Sequence, residues 1–122
     1  MRINIKATGI ELTPSISEYA TKKVSMLEKY LRDNPDVVTQ VEVGKITQHH
    51  KSGEVFRAEV HITGAGIDLY AANEQADLYA AIDVVKDEVA ETLIQKRGRR
   101  ESLTRRGARR IKDALRSWNP FS

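Results

Sequence analysis

A chain of 122 residues in which 40% are hydrophobic and 30% charged has room for one hydrophobic core and the usage of a globular protein, not of a disordered or fibrous one. The absence of cysteine excludes disulfides and thiolate metal sites, and no apolar run approaches the roughly 20 residues that span a bilayer. The formal charge of +3 hides an asymmetry, because residues 96–122 carry ten basic side chains against Glu101 and Asp113, whereas residues 1–95 carry ten basic and fifteen acidic ones.

Residues 1–8 alternate polar and apolar side chains and lack the basic and apolar regions of a secretion signal, so the chain is read as cytosolic. Ile3, Ile5 and Ala7 share one side and Arg2, Asn4 and Lys6 the other, the pattern of a half-buried strand. Thr13-Pro14 offers an N-cap followed by proline at the first helical position, where its missing N–H costs nothing. Ile16, Ala20, Val24, Leu27 and Leu31 then form an apolar stripe of one helix that runs to Asn34-Pro35.

Val37 to Gln48 is rich in valine and threonine and alternates as a long strand, interrupted by His49-His50-Lys51-Ser52-Gly53. Phe56, Ala58, Val60 and Ile62 face inward in the next strand, with Val55, Arg57, Glu59, His61 and Thr63 outward. Gly64-Ala65-Gly66 marks a tight turn into a fourth strand, where Ile67, Leu69 and Ala71 alternate with Asp68, Tyr70 and Ala72. Asn73 is a candidate cap for a second helix whose apolar face is Leu78, Ile82, Val85, Val89 and Leu93 and which is expected to stop at about Lys96 or Arg97, before Gly98. The order is β-α-β-β-β-α: an α+β two-layer sandwich, a four-stranded sheet with two helices on one face. Strands two to four form a meander, and the first helix permits a parallel crossover between strands one and two.

Domain organisation follows from where the core ends: a folded unit over 1–97 and a basic tail over 98–122. Leu103, Gly107, Ile111, Leu115 and Trp118 recur at steps of about four, so the tail can become an amphipathic helix on meeting a partner, although Gly107 weakens it in isolation.

No phosphate loop, dinucleotide fingerprint, zinc-protease motif or nucleophile elbow occurs, and no residue set supplies a nucleophile, base or metal site; the chain is not read as an enzyme and no cofactor is expected. His49 and His50 are adjacent and would point to opposite faces of a strand, which suits a hairpin tip and neither a shared metal nor a relay. Asp77, Asp83, Asp87, Glu88 and Glu91 read as a solvated helix face, and Tyr30, Tyr70 and Tyr79 as core or core-edge packing before base stacking.

The tail points elsewhere. Ten cations in 27 residues, eight of them arginine, form an electrostatic footprint for a polyanion, because every neutralised phosphate releases condensed counterions. The candidate phosphate-binding set is Lys22, Lys23, Lys29 and Arg32 on the first helix, Lys86 and Lys96 on the second, and Arg97, Arg99, Arg100, Arg105, Arg106, Arg109 and Arg110 after it.

Three segments carry a resemblance: Glu11-Leu12-Thr13-Pro14-Ser15-Ile16, Leu27-Glu28-Lys29-Tyr30, and most specifically Asp77-Leu78-Tyr79-Ala80-Ala81-Ile82-Asp83. They are similar to those of ribosome hibernation-promoting factors and ribosome-associated inhibitor A, over residues 1 to about 97. The resemblance implies a fold like that of double-stranded RNA-binding domains, seated in the decoding region of the small ribosomal subunit, where messenger and transfer RNA would lie, and inhibition of translation by occupancy. The implied partners are the small subunit with its 16S-type rRNA and the whole ribosome; by its length the chain resembles a short form without the dimerising domain of long members, a monomer off the ribosome. Where the family pattern continues the second helix with lysine, arginine and lysine, this chain has Glu88, Glu91 and Gln95, and Met26 stands where a lysine is common. The expectation is that the arginine-rich tail takes over part of that phosphate binding. Two other readings stay open: a binder of structured RNA or DNA outside the ribosome, and a protein- or membrane-surface module using Leu103, Ile111, Leu115 and Trp118.

Overall fold

The computed structural model describes residues 1–31, 34–46 and 53–109, and side chains as far as Lys96. His49 and His50 therefore lie outside the described residues, as do Arg32 and everything from Arg110 on. The elements are β1 (Arg2–Thr8), α1 (Pro14–Ser25), α2 (Glu28–Leu31), β2 (Val38–Ile46), β3 (Val55–Gly64), β4 (Ile67–Gln75) and α3 (Leu78–Arg109).

The four strands form one sheet in the order β1-β2-β3-β4. β1 pairs parallel with β2 and the other pairs are antiparallel, as expected where a helix joins the first two strands and short turns join the rest. The register sets Ile5, Val41, Val60 and Ala71 in one inward row and Ile3, Thr39, Ile62 and Leu69 in the next. Over these rows lie Ala20, Val24 and Leu27 from the first helical segment, Leu31 from α2, and Leu78, Ala81, Ile82, Val85, Val89 and Leu93 from α3. α1 sits over β1, α3 crosses β3 and β4, and α1 and α3 touch along a seam. The expected α+β sandwich, with both helical layers on one face, is the architecture found.

Three local expectations need correction. The first helix is two: after Ser25 the amides of Met26 and Leu27 reach back three residues, to Lys23 and Val24 carbonyls at 3.2 and 2.9 Å, and this tightening keeps Leu27 fully buried ahead of α2. No glycine or proline marks the break, so propensity could not reveal it. Asn73 does not cap α3, because it is still inside β4; the cap is Asp77, whose Oδ2 accepts from the Ala80 amide at 3.2 Å. Finally, α3 does not stop before Gly98 but continues to Arg109, 32 residues in all. One glycine costs a helix only about 1 kcal/mol relative to alanine, and the residues around it, Arg97, Arg99, Arg100 and Glu101, are good helix formers with no proline among them.

The other signals act as expected. Thr13 Oγ1 accepts from the Ile16 amide at 3.2 Å, with Pro14 opening α1. The β3–β4 connection has positive φ at both central residues, Ala65 and Gly66, as the twist of a two-residue hairpin demands. Gly64 before it is irreplaceable for another reason: a Cβ there would stand 2.2 Å from the Asp36 carbonyl oxygen.

Among the described residues Thr39 is the one buried polar side chain of the core, and its hydroxyl has no hydrogen-bond partner there. Replacing it by valine removes an unmatched hydroxyl from between Ile3 and Ile62, and Thr39→Val is expected to stabilise the fold by about 1 kcal/mol. Chemical denaturation should show a higher midpoint at an unchanged slope; a lower midpoint would mean that the hydroxyl has an acceptor.

Candidate nucleic-acid interface

The helical layer gathers the predicted basic residues unevenly. Lys22 and Lys23 lie in the last turn of α1 and Lys29 in α2. Lys22 and Lys29 are exposed, and the Lys29 ammonium sits 5.1 Å from the centre of the Tyr30 ring, a cation–π contact that holds the side chain at the surface of the helical layer. Lys96 is exposed on α3. Arg97, Arg99, Arg100, Arg105, Arg106 and Arg109 all lie along the C-terminal part of α3.

Two predicted lysines are already engaged. Lys86 is mostly covered and pairs with its neighbour Asp87. Lys23 lies 3.4 Å from Asp83 Oδ1 and 5.5 Å from the centre of the Tyr19 ring. The same carboxylate oxygen accepts the Tyr19 hydroxyl at 2.6 Å, and the Tyr19 ring meets Tyr79 edge-on at 4.8 Å between centres. This cluster bridges α1 and α3 and was not legible beforehand. Tyr19 precedes Lys23 by four residues and Tyr79 precedes Asp83 by four, so each pair shares a helix face; what the spacing could not say is that the two faces oppose one another. Asp83 is engaged in this cluster through Oδ1 while 41% of its side chain stays exposed, and Asp87, Glu88 and Glu91 are exposed as expected.

The positions at which the resemblance led to an expectation of cations carry acidic or neutral side chains here. Glu88 accepts from Asn73 Nδ2 at 3.3 Å, tying α3 to β4, and Glu91 accepts from Gln95 Nε2 at 3.4 Å. Met26 is 46% exposed at the end of α1. The folded domain therefore offers Lys22, Lys29 and Lys96 as exposed cations of the predicted set, and the density of positive charge lies beyond Lys96.

The open face of the sheet is closed in on itself. Arg57 Nε donates to Glu59 Oε1 at 2.8 Å and Nη1 to Glu74 Oε2 at 3.0 Å, while the Tyr70 hydroxyl donates to Glu59 Oε1 at 2.9 Å. The Arg57 guanidinium holds the Glu59 carboxyl below the usual carboxylate range, and that same bond pushes the arginine's own pKa up. His61 Nε2 lies 2.7 Å from Asp68 Oδ1. Tyr70, 55% exposed, belongs to this surface network and not to the core or its edge; Tyr30 packs against the core and Tyr79 meets Tyr19. No group of three or more histidine or carboxylate side chains is arranged to hold a metal among the described residues, and none of the described helices is long and apolar enough to cross a membrane.

The Tyr19 hydroxyl, donating to Asp83 and close to its charge, has its pKa pushed up to about 12. Because that lies above the ~10 of an unfolded tyrosine, the bond's contribution to stability is whole below pH 10 and is lost as pH rises toward 12. Asp83→Asn removes the carboxylate, so the Tyr19 phenolate is expected to form at lower pH, read from tyrosine ring resonances during titration. An unshifted titration would show that the hydroxyl is not bonded to Asp83 in solution.

Comparison with known proteins places this arrangement. Residues 3–101 match the family described as Sigma 54 modulation protein / S30EA ribosomal protein. Curated relatives include the ribosome hibernation promoting factors of Klebsiella oxytoca and of Escherichia coli K12, 32% and 33% identical over 93 residues, in each case 76% of this chain and 90% of theirs. The ribosome hibernation promotion factor of Lactococcus lactis is 27% identical over 89 residues, which are 45% of its own length. Among solved structures, the N-terminal domain of Protein Y from Thermus thermophilus superposes with a TM-score of 0.63 at 26% identity, over 76% of this chain and 96% of that one. A ribosomal subunit interface protein from Coxiella burnetii superposes at 0.66 over 80% of this chain and 99% of that one; at 17% identity this likeness speaks for the fold alone. The curated relatives are named for ribosome hibernation and not for a reaction. With the family spanning β1 to well inside the long α3, and the strand order and helical layer shared with Protein Y, the chain belongs to the Sigma 54 modulation protein / S30EA ribosomal protein family of ribosome hibernation factors.

Proposed function

We propose that this protein is a cytoplasmic factor that binds the small ribosomal subunit at the decoding region and holds the ribosome idle by occupying the space of messenger and transfer RNA. The observation that carries this is the match of residues 3–101 to a family whose curated relatives are ribosome hibernation promoting factors. Chemically, the protein needs only to read the shape and phosphate positions of folded RNA, whose deep major groove side chains cannot enter. Lys22 and Lys29 on the α1–α2 side and Lys96 with the arginines of α3 are the phosphate contacts; Lys23 and Lys86 have acidic partners to leave first. Arg32 and Arg110 complete the set by position in the sequence.

In this reading residues 1–97 form the ribosome-binding unit and 98–122 a basic extension. The division is one of charge and core, since the α3 backbone crosses it without interruption. The extension compensates for the acidic residues that stand at Glu88 and Glu91. The 16S-type rRNA is the direct partner, no small-molecule substrate or membrane is involved, and off the ribosome the chain is a monomer.

The test is co-sedimentation of the purified protein with small subunits and with whole ribosomes across a salt series. The full chain is expected to sediment with both. Changing Arg105, Arg106, Arg109 and Arg110 together to glutamine should weaken binding and lower the slope of log K against log salt by about 3, as expected for four lost phosphate contacts at ~0.7–0.9 each. A full chain that ignores subunits yet binds a bare RNA hairpin would replace this reading with that of a general structured-RNA binder.

A further inference from the structure

The apolar stripe of α3 ends at Leu93, the last buried residue of the helix; Ile94 is 50% exposed, and Gln95 and Lys96 are exposed as well. The positions that would continue the stripe are Lys96, Arg97 and Arg100, so nothing beyond Leu93 can be drawn down onto the sheet. The backbone nevertheless remains helical to Arg109. At 1.5 Å per residue the sixteen residues after Leu93 carry the helix about 24 Å past its last core contact.

The sequence of this overhang is unusual in its distribution of charge around the axis. Residues 96–109 hold seven cations, Lys96, Arg97, Arg99, Arg100, Arg105, Arg106 and Arg109, against Glu101. With 3.6 residues per turn they fall in all four quadrants of the helix, and the apolar residues among them are Leu103 and Ala108. A helix that lies on a lipid surface or in a protein groove needs a continuous apolar side, which this one lacks. A helix that lies on a flat phosphate surface can use the cations of one side only.

The reach of the overhang matters because the rest of the chain is acidic. A flexible tail would settle against the net negative charge of residues 1–95. A helical one holds its outer arginines about 24 Å from the core, roughly three Debye lengths at physiological salt, where that attraction is screened away.

We propose that residues 96–109 of α3 form a stiff arm that enters a phosphate-lined cleft of folded RNA and is contacted by phosphates on opposite sides at once. Resting on the ribosome reading above, this names the feature of the RNA that the basic extension recognises: two backbone strands separated by about the 10–12 Å diameter of a helix. Arginine suits such a site because its guanidinium pairs with phosphate through two parallel hydrogen bonds. The groove of a perfect A-form duplex is too narrow to be that cleft.

The test keeps the full chain and varies stiffness and charge separately. Gly98→Pro preserves every charge, leaves the core up to Leu93 intact, and breaks the helix at the root of the arm; Gly98→Ala strengthens it. Arg97→Gln with Arg100→Gln, and Arg99→Gln with Arg106→Gln, each remove two cations from roughly opposite sides. Binding to isolated small subunits at about 0.1 M salt is compared with binding to a perfect 20-base-pair RNA duplex, with far-UV circular dichroism of each free protein.

Gly98→Pro is expected to lose helical signal, to bind subunits at least about tenfold more weakly, and to bind the duplex as the parent does, while Gly98→Ala binds subunits as well or better. The two arginine pairs should cost similar factors. Unchanged helicity or subunit affinity in Gly98→Pro, or a loss confined to one pair, overturns the arm in a cleft. A parent chain that fails to bind subunits overturns instead the reading on which it rests.

Discussion

A sheet with one apolar face can bury it only beneath helices that lie side by side, and nearly everything else in this molecule follows from that requirement. The inward rows from Ile3 to Leu69 demand a cover, and the stripes of α1, α2 and α3 supply it. Covering one face with both α1 and α3 forces them into contact, and the polar residues left along their seam must then satisfy one another. Tyr19, Lys23 and Asp83 do so through a single carboxylate oxygen. The same requirement orients α3: about four turns of helix with buried side chains from Leu78 to Leu93 pin its axis across β3 and β4, so whatever the helix continues into is aimed by the core.

Charge is partitioned along this mechanical division. The folded part is net acidic, and on its open sheet face Arg57 is bracketed by Glu59 and Glu74 while His61 lies beside Asp68. Such pairs on an exposed face add little stability each, but they leave few bare cations to attract phosphate. The helical layer exposes Lys22, Lys29 and Lys96 and the sheet side Arg2 and Lys6, so exposed cations are sparse on both, and Glu88 and Glu91 add acidic charge to the helical side. On the proposed reading, an RNA partner is attracted chiefly by the arginine-rich end of the chain. That asymmetry gives the association an orientation before any contact forms, since a polyanion is drawn to one end of the molecule and repelled by the rest.

Much of the fold was readable from pattern alone. Strict alternation in β3, the Thr13-Pro14 start of α1 and the Leu78-to-Leu93 stripe each tie a local period to a face that must be buried, and all three faces are buried. The misreadings have equally local causes. The break after Ser25 carries no helix-breaking residue; Asn73 and Asp77 are both good caps, and only the length of β4 chooses between them; Gly98 is a common terminator that its neighbours outweigh. Of the candidate interface, the identity of the cations was legible and their availability was not. Lys23 and Lys86 look like Lys22 and Lys29 in sequence, yet two have acidic partners and two are exposed.

The sequence by itself determined the periodicities, and therefore the elements and the faces they bury, because those depend on neighbours three or four residues apart in a helix and two apart in a strand. It also determined the acidic body and the arginine-rich end, since charge is additive along a chain. Only the tertiary structure decided which side chains from distant segments meet: that Asp83 is claimed by Tyr19 and Lys23 across 64 and 60 residues, that Tyr70 belongs to the open face with Glu59, and that Glu88 reaches Asn73. Those outcomes depend on the register of four strands and the packing of two helices, geometry that no local pattern encodes.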